Sequence, residues 1–186
     1  MAATLSVMKP LGSMAPDFKL PDTVSGKYFS LKQLQGKVAT VVMFICNHCP
    51  YVKLINPEIV NVARDYQTKG VNFIAISSND AVQYPDDGPD EMKIVAKALG
   101  YPFPYLYDER QQVARAYDAA CTPDFFVYDK DLKLAYRGQF DDARPGNNKE
   151  VTGNDLRTAL HAMVEGKRLS DEQRPSIGCN IKWKKI

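Results

Sequence analysis

Two short runs of the chain are apolar and β-branched almost throughout: Val38-Ala39-Thr40-Val41-Val42-Met43-Phe44-Ile45 and Val71-Asn72-Phe73-Ile74-Ala75-Ile76-Ser77-Ser78. Runs of this length and type predict buried central strands. Between them Val52, Ile55, Ile59, Val62, Ala63 and Tyr66 recur at steps of three and four. They form one apolar helix face, in a helix that starts at Pro50 and stops at Gly70. Strand, helix, strand predicts a right-handed βαβ unit. A Pro/Asp/Gly-rich loop follows at Tyr84-Pro85-Asp86-Asp87-Gly88-Pro89-Asp90, then a helix over about 90–99. Tyr101-Pro102-Phe103-Pro104 leads into Tyr105-Leu106-Tyr107, and Gln111 to Tyr117 is a further short helix. Phe125-Phe126-Val127-Tyr128 and Leu132-Lys133-Leu134-Ala135-Tyr136-Arg137 flank Asp129-Lys130-Asp131, which is hairpin material. Leu156, Ala159, Leu160, Met163 and Val164 are the inner face of a last helix, capped near Asn154 and ended by Gly166. The pattern predicts an α/β chain with a mixed sheet between helices. The span 1–186 reads as one domain, with an irregular C-terminal tail at 167–186.

Composition changes this picture little. A chain of 186 residues with 45% hydrophobic residues can bury a core without disulfide or metal staples. A net charge of +2 argues against nucleic acid or an anionic membrane as partner. No apolar stretch approaches the roughly 20 residues of a membrane span. The start, Met1-Ala2-Ala3-Thr4-Leu5-Ser6-Val7-Met8-Lys9, lacks the basic and apolar regions of a secretory signal, so a cytoplasmic protein is expected. Four cysteines are too few for a disulfide scaffold, and in a reducing compartment they point to catalysis or metal binding.

The chemistry concentrates in Cys46-Asn47-His48-Cys49, directly after the first apolar run. Strand before and helix after place Cys46 at a strand-to-helix junction, where free N–H groups and the helix dipole stabilise a thiolate. Such a thiolate is suited to thiol–disulfide exchange. Cys46 is the candidate nucleophile and Cys49 the resolving thiol of a dithiol–disulfide couple. The motif with Cys121 or Cys179 also contains ligand types for zinc or copper, but a four-ligand zinc site usually needs two clustered pairs, and only one is present. No metal is therefore assigned, and nothing specifies a nucleotide, flavin or haem cofactor.

The order of elements, with a dithiol after the first buried strand and Thr122-Pro123 before the hairpin, resembles the thioredoxin fold. Gly12-Ser13-Met14-Ala15-Pro16-Asp17-Phe18, Leu20-Pro21-Asp22 and Leu31-Lys32-Gln33-Leu34-Gln35-Gly36-Lys37 resemble the opening segment of the redoxin (AhpC/TSA) branch. That branch joins peroxiredoxins to thioredoxin-like thiol reductases. Ala116-Tyr117, Phe125-Phe126-Val127-Tyr128-Asp129 and Tyr136-Arg137-Gly138 continue the match. The chain is most similar to the peroxiredoxin-like group that carries a CxxC. The resemblance implies a glutaredoxin-type three-layer sandwich, a central mixed sheet flanked by helices, with an N-terminal redoxin extension.

It also implies roles. His48 and Asn47 occupy the variable positions that tune the thiolate. An imidazole at position 48 resembles the motif of oxidising oxidoreductases, and implies a potential on the oxidising side of thioredoxin's, about −270 mV. Thr122 and Pro123 resemble the cis-proline loop that pairs with substrate. Cys121 and Cys179 are candidate resolving thiols for a sulfenic acid at Cys46. The chain departs from its parents in three places. The Pro and Thr/Ser that activate peroxide are missing before Cys46, Ile45 replaces a Trp, and Thr40 replaces a buried Asp. Expected partners are a disulfide-containing protein or small thiol substrate and a thiol electron donor; oligomeric state is left open. A thiol-dependent peroxidase, a metal-binding thiol protein and a noncatalytic adaptor are the alternatives to a thiol–disulfide oxidoreductase.

Overall fold

A computed structural model describes residues 3–185; Met1, Ala2 and Ile186, at the ends of the span read as one domain, lie outside the described residues. The chain opens with β1 (Ala3–Leu5), β2 (Lys19–Pro21), β3 (Tyr28–Ser30) and α1 (Leu31–Leu34). The βαβ unit follows as β4 (Ala39–Phe44), α2 (Pro50–Gln67) and β5 (Val71–Ser77). Then come α3 (Pro89–Ala98), β6 (Tyr105–Tyr107), α4 (Gln112–Tyr117) and β7 (Cys121–Thr122). β8 (Asp124–Asp129), β9 (Leu134–Gly138), α5 (Asn154–Val164) and β10 (Ile177–Asn180) complete it.

The main sheet runs in the order β6-β5-β4-β8-β9, with β4–β5 and β5–β6 parallel and β4–β8 and β8–β9 antiparallel. β4 is central because all six of its residues are buried, and a strand buried on both faces must be apolar on both. Alternate residues then feed two cores. Val41, Met43, Phe73 and Val127 pack with α2, α3 and α5 on one face. Val42, Phe44, Ile74, Ile76 and Phe126 pack with α1 and α4 on the other. The result is the thioredoxin-like three-layer sandwich with a mixed central sheet.

The structure departs from the sequence reading at three points. The tail expected to be irregular contains β10, which pairs antiparallel with β1 and with β7. Its residues, Ile177-Gly178-Cys179-Asn180, are too short and too small a run to show strand periodicity. What fixes β10 is close approach: a Cβ on Gly178 would lie 2.0 Å from the Thr122 carbonyl oxygen. Asn154 does not cap α5 but begins it, after Gly153 at φ 65. There the Asp141 carboxylate accepts from the Thr152 and Gly153 N–H groups at 2.8 and 2.7 Å. The third departure lies at the start of α2.

Candidate active site

β4 delivers the chain to Ile45, whose N–H donates to the Ile76 carbonyl at 3.0 Å, and Pro50 opens α2 as its first residue. The residue at the helix start is Cys49, the N-cap, and not Cys46 as the sequence suggested. The reason is Pro50. Its fixed φ suits the first helical position, and the missing N–H is no loss there, so helix begins after the second cysteine rather than at the first. Helix-start stabilisation therefore falls on Cys49, where the Val52 backbone lowers the thiol pKa; the Cys179 backbone acts the same way.

Both cysteines are reduced and buried, Cys46 at 1% and Cys49 at 0% exposure. They converge on Thr122. The Cys49 thiol donates to the Thr122 carbonyl at 3.1 Å, and the Thr122 hydroxyl lies 3.4 Å from the Cys46 sulfur. The Thr122–Pro123 peptide is cis. Cys179 sits directly opposite Thr122 in the β7–β10 pairing, and so beside Cys49. Cys121, also in β7, is buried with its Sγ 3.6 Å from the Pro123 carbonyl. Cys46, Cys49 and Cys179 thus meet around Thr122, with His48 beside Cys46, while Cys121 faces Pro123.

The two sulfurs titrate as one unit. The interaction with the other sulfur is the largest influence on each. It lowers the Cys49 pKa to about 5 and, joined by burial and the Asp87 charge, raises that of Cys46 well above the ordinary thiol value. The shifts disfavour charge on Cys46 and favour it on Cys49. The Cys49–Thr122 carbonyl contact belongs to the opposite arrangement, since only a thiol can donate there. Burial pushes the Cys121 thiol up, and burial with the Cys49 sulfur pushes Cys179 up to about 12. Neither is a ready nucleophile.

The sequence reading missed Asp87. Its side chain is fully buried in the 3-10 turn Pro85–Asp87. One oxygen accepts from the N–H groups of Asn47 and His48 at 2.8 and 3.1 Å. The other accepts from His48 Nδ1 at 2.5 Å and Asn79 Nδ2 at 2.8 Å. Asn47 is fixed further by its own amide, which donates to the Asp86 carbonyl at 2.7 Å. His48 Nδ1 also lies 4.0 Å from the Cys46 sulfur, and its ring stacks on Tyr84 at 5.2 Å between centroids. Its buried Nε2 has no partner among the described residues. Cys46, His48 and Asp87 are metal-ligating types with donor atoms within 4.8 Å of one another. Here, however, the four N–H donors occupy the carboxylate, which explains the trio as a hydrogen-bond network. No spacing rule links residues 39 apart. The available signal was topological: β4 and β5 are parallel neighbours, so the loops after both lie at one sheet edge.

Thr40, at the position of the missing Asp, accepts from the Gly36 N–H at 2.9 Å and takes no part in the site.

Two expected outcomes follow from this geometry. Gly178→Ala forces β10 and Thr122 apart, because the new Cβ would meet the Thr122 carbonyl carbon at 2.6 Å as well as its oxygen. Denaturant unfolding should show a loss of about 1–3 kcal/mol, with reactivity of the dithiol falling alongside. The second concerns acid. Burial alone raises the Asp87 pKa, but hydrogen bonds from His48 and Asn79 outweigh it and the net shift is downward. A carboxylate with a depressed folded value adds stability that is complete above about pH 5 and is lost as pH falls through its unfolded value of about 3.9 toward the folded one. Urea midpoints should therefore drop as pH falls from about 5 to 3, and drop less in Asp87→Asn.

Comparison with known proteins fits this fold. The AhpC/TSA family pattern matches residues 11–137. A crystal structure of an uncharacterized conserved protein from Geobacillus kaustophilus is 58% identical, with a TM-score of 0.97, covering 99% of this chain and 97% of that one. The thiol-disulfide oxidoreductase ResA of Geobacillus thermodenitrificans is 27% identical over 124 residues, 67% of this chain; the match spans 66% of that protein's length, just under two thirds. The thioredoxin domain of a thiol-disulfide oxidoreductase from Bacteroides vulgatus shares the fold at 17% identity and a TM-score of 0.63, over 82% of this chain and 99% of that one. With its dithiol at the end of β4 and a family match across most of its length, this chain belongs to the AhpC/TSA family.

Proposed function

We propose that this protein is a thiol–disulfide oxidoreductase that works through a Cys46/Cys49 dithiol–disulfide couple on protein or small-molecule disulfides. The observation that carries the reading is the convergence of two free thiols on Thr122, beside the cis Thr122–Pro123 peptide. The similarity to ResA supports the same chemistry.

The dithiol supplies the first step from its own thiols. The Cys46 proton passes to Cys49, leaving a Cys46 thiolate, which attacks one sulfur of the substrate disulfide. That S–S bond breaks, the departing thiolate takes a proton from solvent, and a mixed disulfide remains on Cys46. Cys49 then attacks the Cys46 sulfur, the Cys46–substrate S–S bond breaks, and the proton lost by Cys49 passes through solvent to the second substrate thiolate. The protein loses two electrons to form the Cys46–Cys49 bond, and the substrate gains two to become two thiols. A thiol electron donor restores the dithiol by the reverse exchange.

The test is reduction of a small disulfide and of a disulfide-bonded protein by the reduced chain, beside peroxide consumption with a thiol donor. Disulfide reduction that outpaces peroxide consumption supports the proposal. Peroxide consumption with no disulfide reduction would replace it with a peroxidase.

A further inference from the structure

We infer that Asp87 biases the pair against charge on Cys46: its buried carboxylate, clamped to His48 and within 4.8 Å of Cys46, disfavours a thiolate there and makes the couple more reducing than its His48 motif implies. This inference rests on the dithiol reading above.

The placement is a consequence of topology. β4 ends in the Cys46–Cys49 turn, and its parallel neighbour β5 ends in Ser78-Asn79-Asp80, from which the 3-10 turn folds back over that motif. Four N–H donors hold the carboxylate as an anion, and its side chain is fully shielded from water. An unscreened charge at this distance acts strongly on a neighbouring sulfur. Because the carboxylate only accepts, His48 Nδ1 donates to it, and any positive charge the ring takes up is neutralised at once. The stabilisation that an imidazole would give a Cys46 thiolate is thereby cancelled.

Other charged and titratable groups near Cys46 do not reverse this. On its own side these are His48, stacked on Tyr84, and Cys49. Across the site stand the Tyr101 and Tyr105 phenols, both held neutral by burial. Beyond Thr122 lie Cys121 and Cys179, whose thiols are held protonated. Arg137 is bound to Asp124, and the Lys182 ammonium sits 5.8 Å from the Tyr84 ring centre while donating to Asn180. A thiolate disfavoured at the attacking sulfur destabilises the dithiol relative to the disulfide, which lowers the potential.

The experiment measures the equilibrium of the Cys46–Cys49 couple against glutathione in the full chain and in Asp87→Asn. The substituted amide keeps an oxygen for the backbone N–H groups, and a change of His48 tautomer restores its contact. The expected shift is tenfold or more toward the dithiol, about 30 mV upward. A folded variant whose equilibrium moves less than threefold, or toward the disulfide, overturns the inference. Cys49→Ser decides the matter if Asp87→Asn does not fold, since serine is a favoured N-cap residue. In it, His48→Gln should shift the pH midpoint of Cys46 alkylation by less than threefold in proton concentration, because Asp87 already cancels the imidazole. A rise of the midpoint by tenfold or more on losing the imidazole overturns the inference. Failure of the native chain to form a Cys46–Cys49 bond at all would instead sink the functional reading.

Discussion

Under the proposed mechanism Cys46→Ser should lower disulfide reduction by about 10³-fold or more, because the attacking thiolate would have no substitute at that position. Cys121 and Cys179 cannot replace it, as both thiols are held protonated by burial. Cys49→Ser has a different signature. Cys46 still attacks, but the resolving sulfur is gone, so the reaction stops after one exchange with substrate attached to Cys46. Steady-state reduction is lost in both variants, and mass spectrometry separates them. A stable mixed disulfide on Cys46 is expected in Cys49→Ser and none in Cys46→Ser. The reverse distribution, with substrate trapped on Cys49 in Cys46→Ser, would make Cys49 the attacking thiol.

Arg137→Met should be the most destabilising of the substitutions considered, and it acts through the residue that follows the cis-proline. Arg137 and Asp124 are both completely buried and paired. The guanidinium also donates to the Asp124 second oxygen at 3.0 Å, to the Phe125 carbonyl at 3.1 Å and to the Val7 carbonyl at 3.2 Å, and lies 3.8 Å from the Phe126 ring centre. Removing it strands the Asp124 carboxylate in the core. An uncompensated buried charge costs about 3–5 kcal/mol, which for a chain of this size lowers Tm by about 10 °C or more. Calorimetry checks this, and Asp124→Leu combined with Arg137→Met should recover much of the loss, because replacing both partners removes the orphaned charge. A single variant that melts within about 2 °C of the native chain would show that the pair contributes little. Asp124 also accepts from the Ala120 N–H at 3.2 Å, so the pair braces both sides of Cys121-Thr122-Pro123. The single variant should therefore lose dithiol reactivity at temperatures where it remains folded.

The central elements were legible because their signals are local. The runs at 38–45 and 71–78 and the apolar face from Val52 to Tyr66 are β4, β5 and α2, since burial on both faces of a strand and on one face of a helix writes itself into spacing. Thr122 and Pro123 were legible by their place before the hairpin, and the peptide between them is cis. β10 was not legible, because a strand held by the close approach of Gly178 needs no apolar alternation. Nor was the contact between Cys179 and the dithiol, which depends on that strand's register. The helix start at Pro50 was legible, but it makes Cys49 the N-cap and leaves Cys46 in the turn before it. Asp87 was hidden in a loop whose Pro/Asp/Gly composition signals only a turn. Its function as the clamp of the Cys46–Cys49 segment comes from neighbouring strands ending side by side, which no single stretch of sequence records.

The most direct test of the dithiol mechanism is disulfide mapping by mass spectrometry after the reduced protein is treated with one equivalent of oxidised glutathione. The mechanism predicts a Cys46–Cys49 bond as the dominant product, with Cys121 and Cys179 remaining as free thiols. A dominant bond from Cys46 to Cys121 or Cys179, or a sulfenic acid persisting on one cysteine after an equivalent of peroxide, would contradict it.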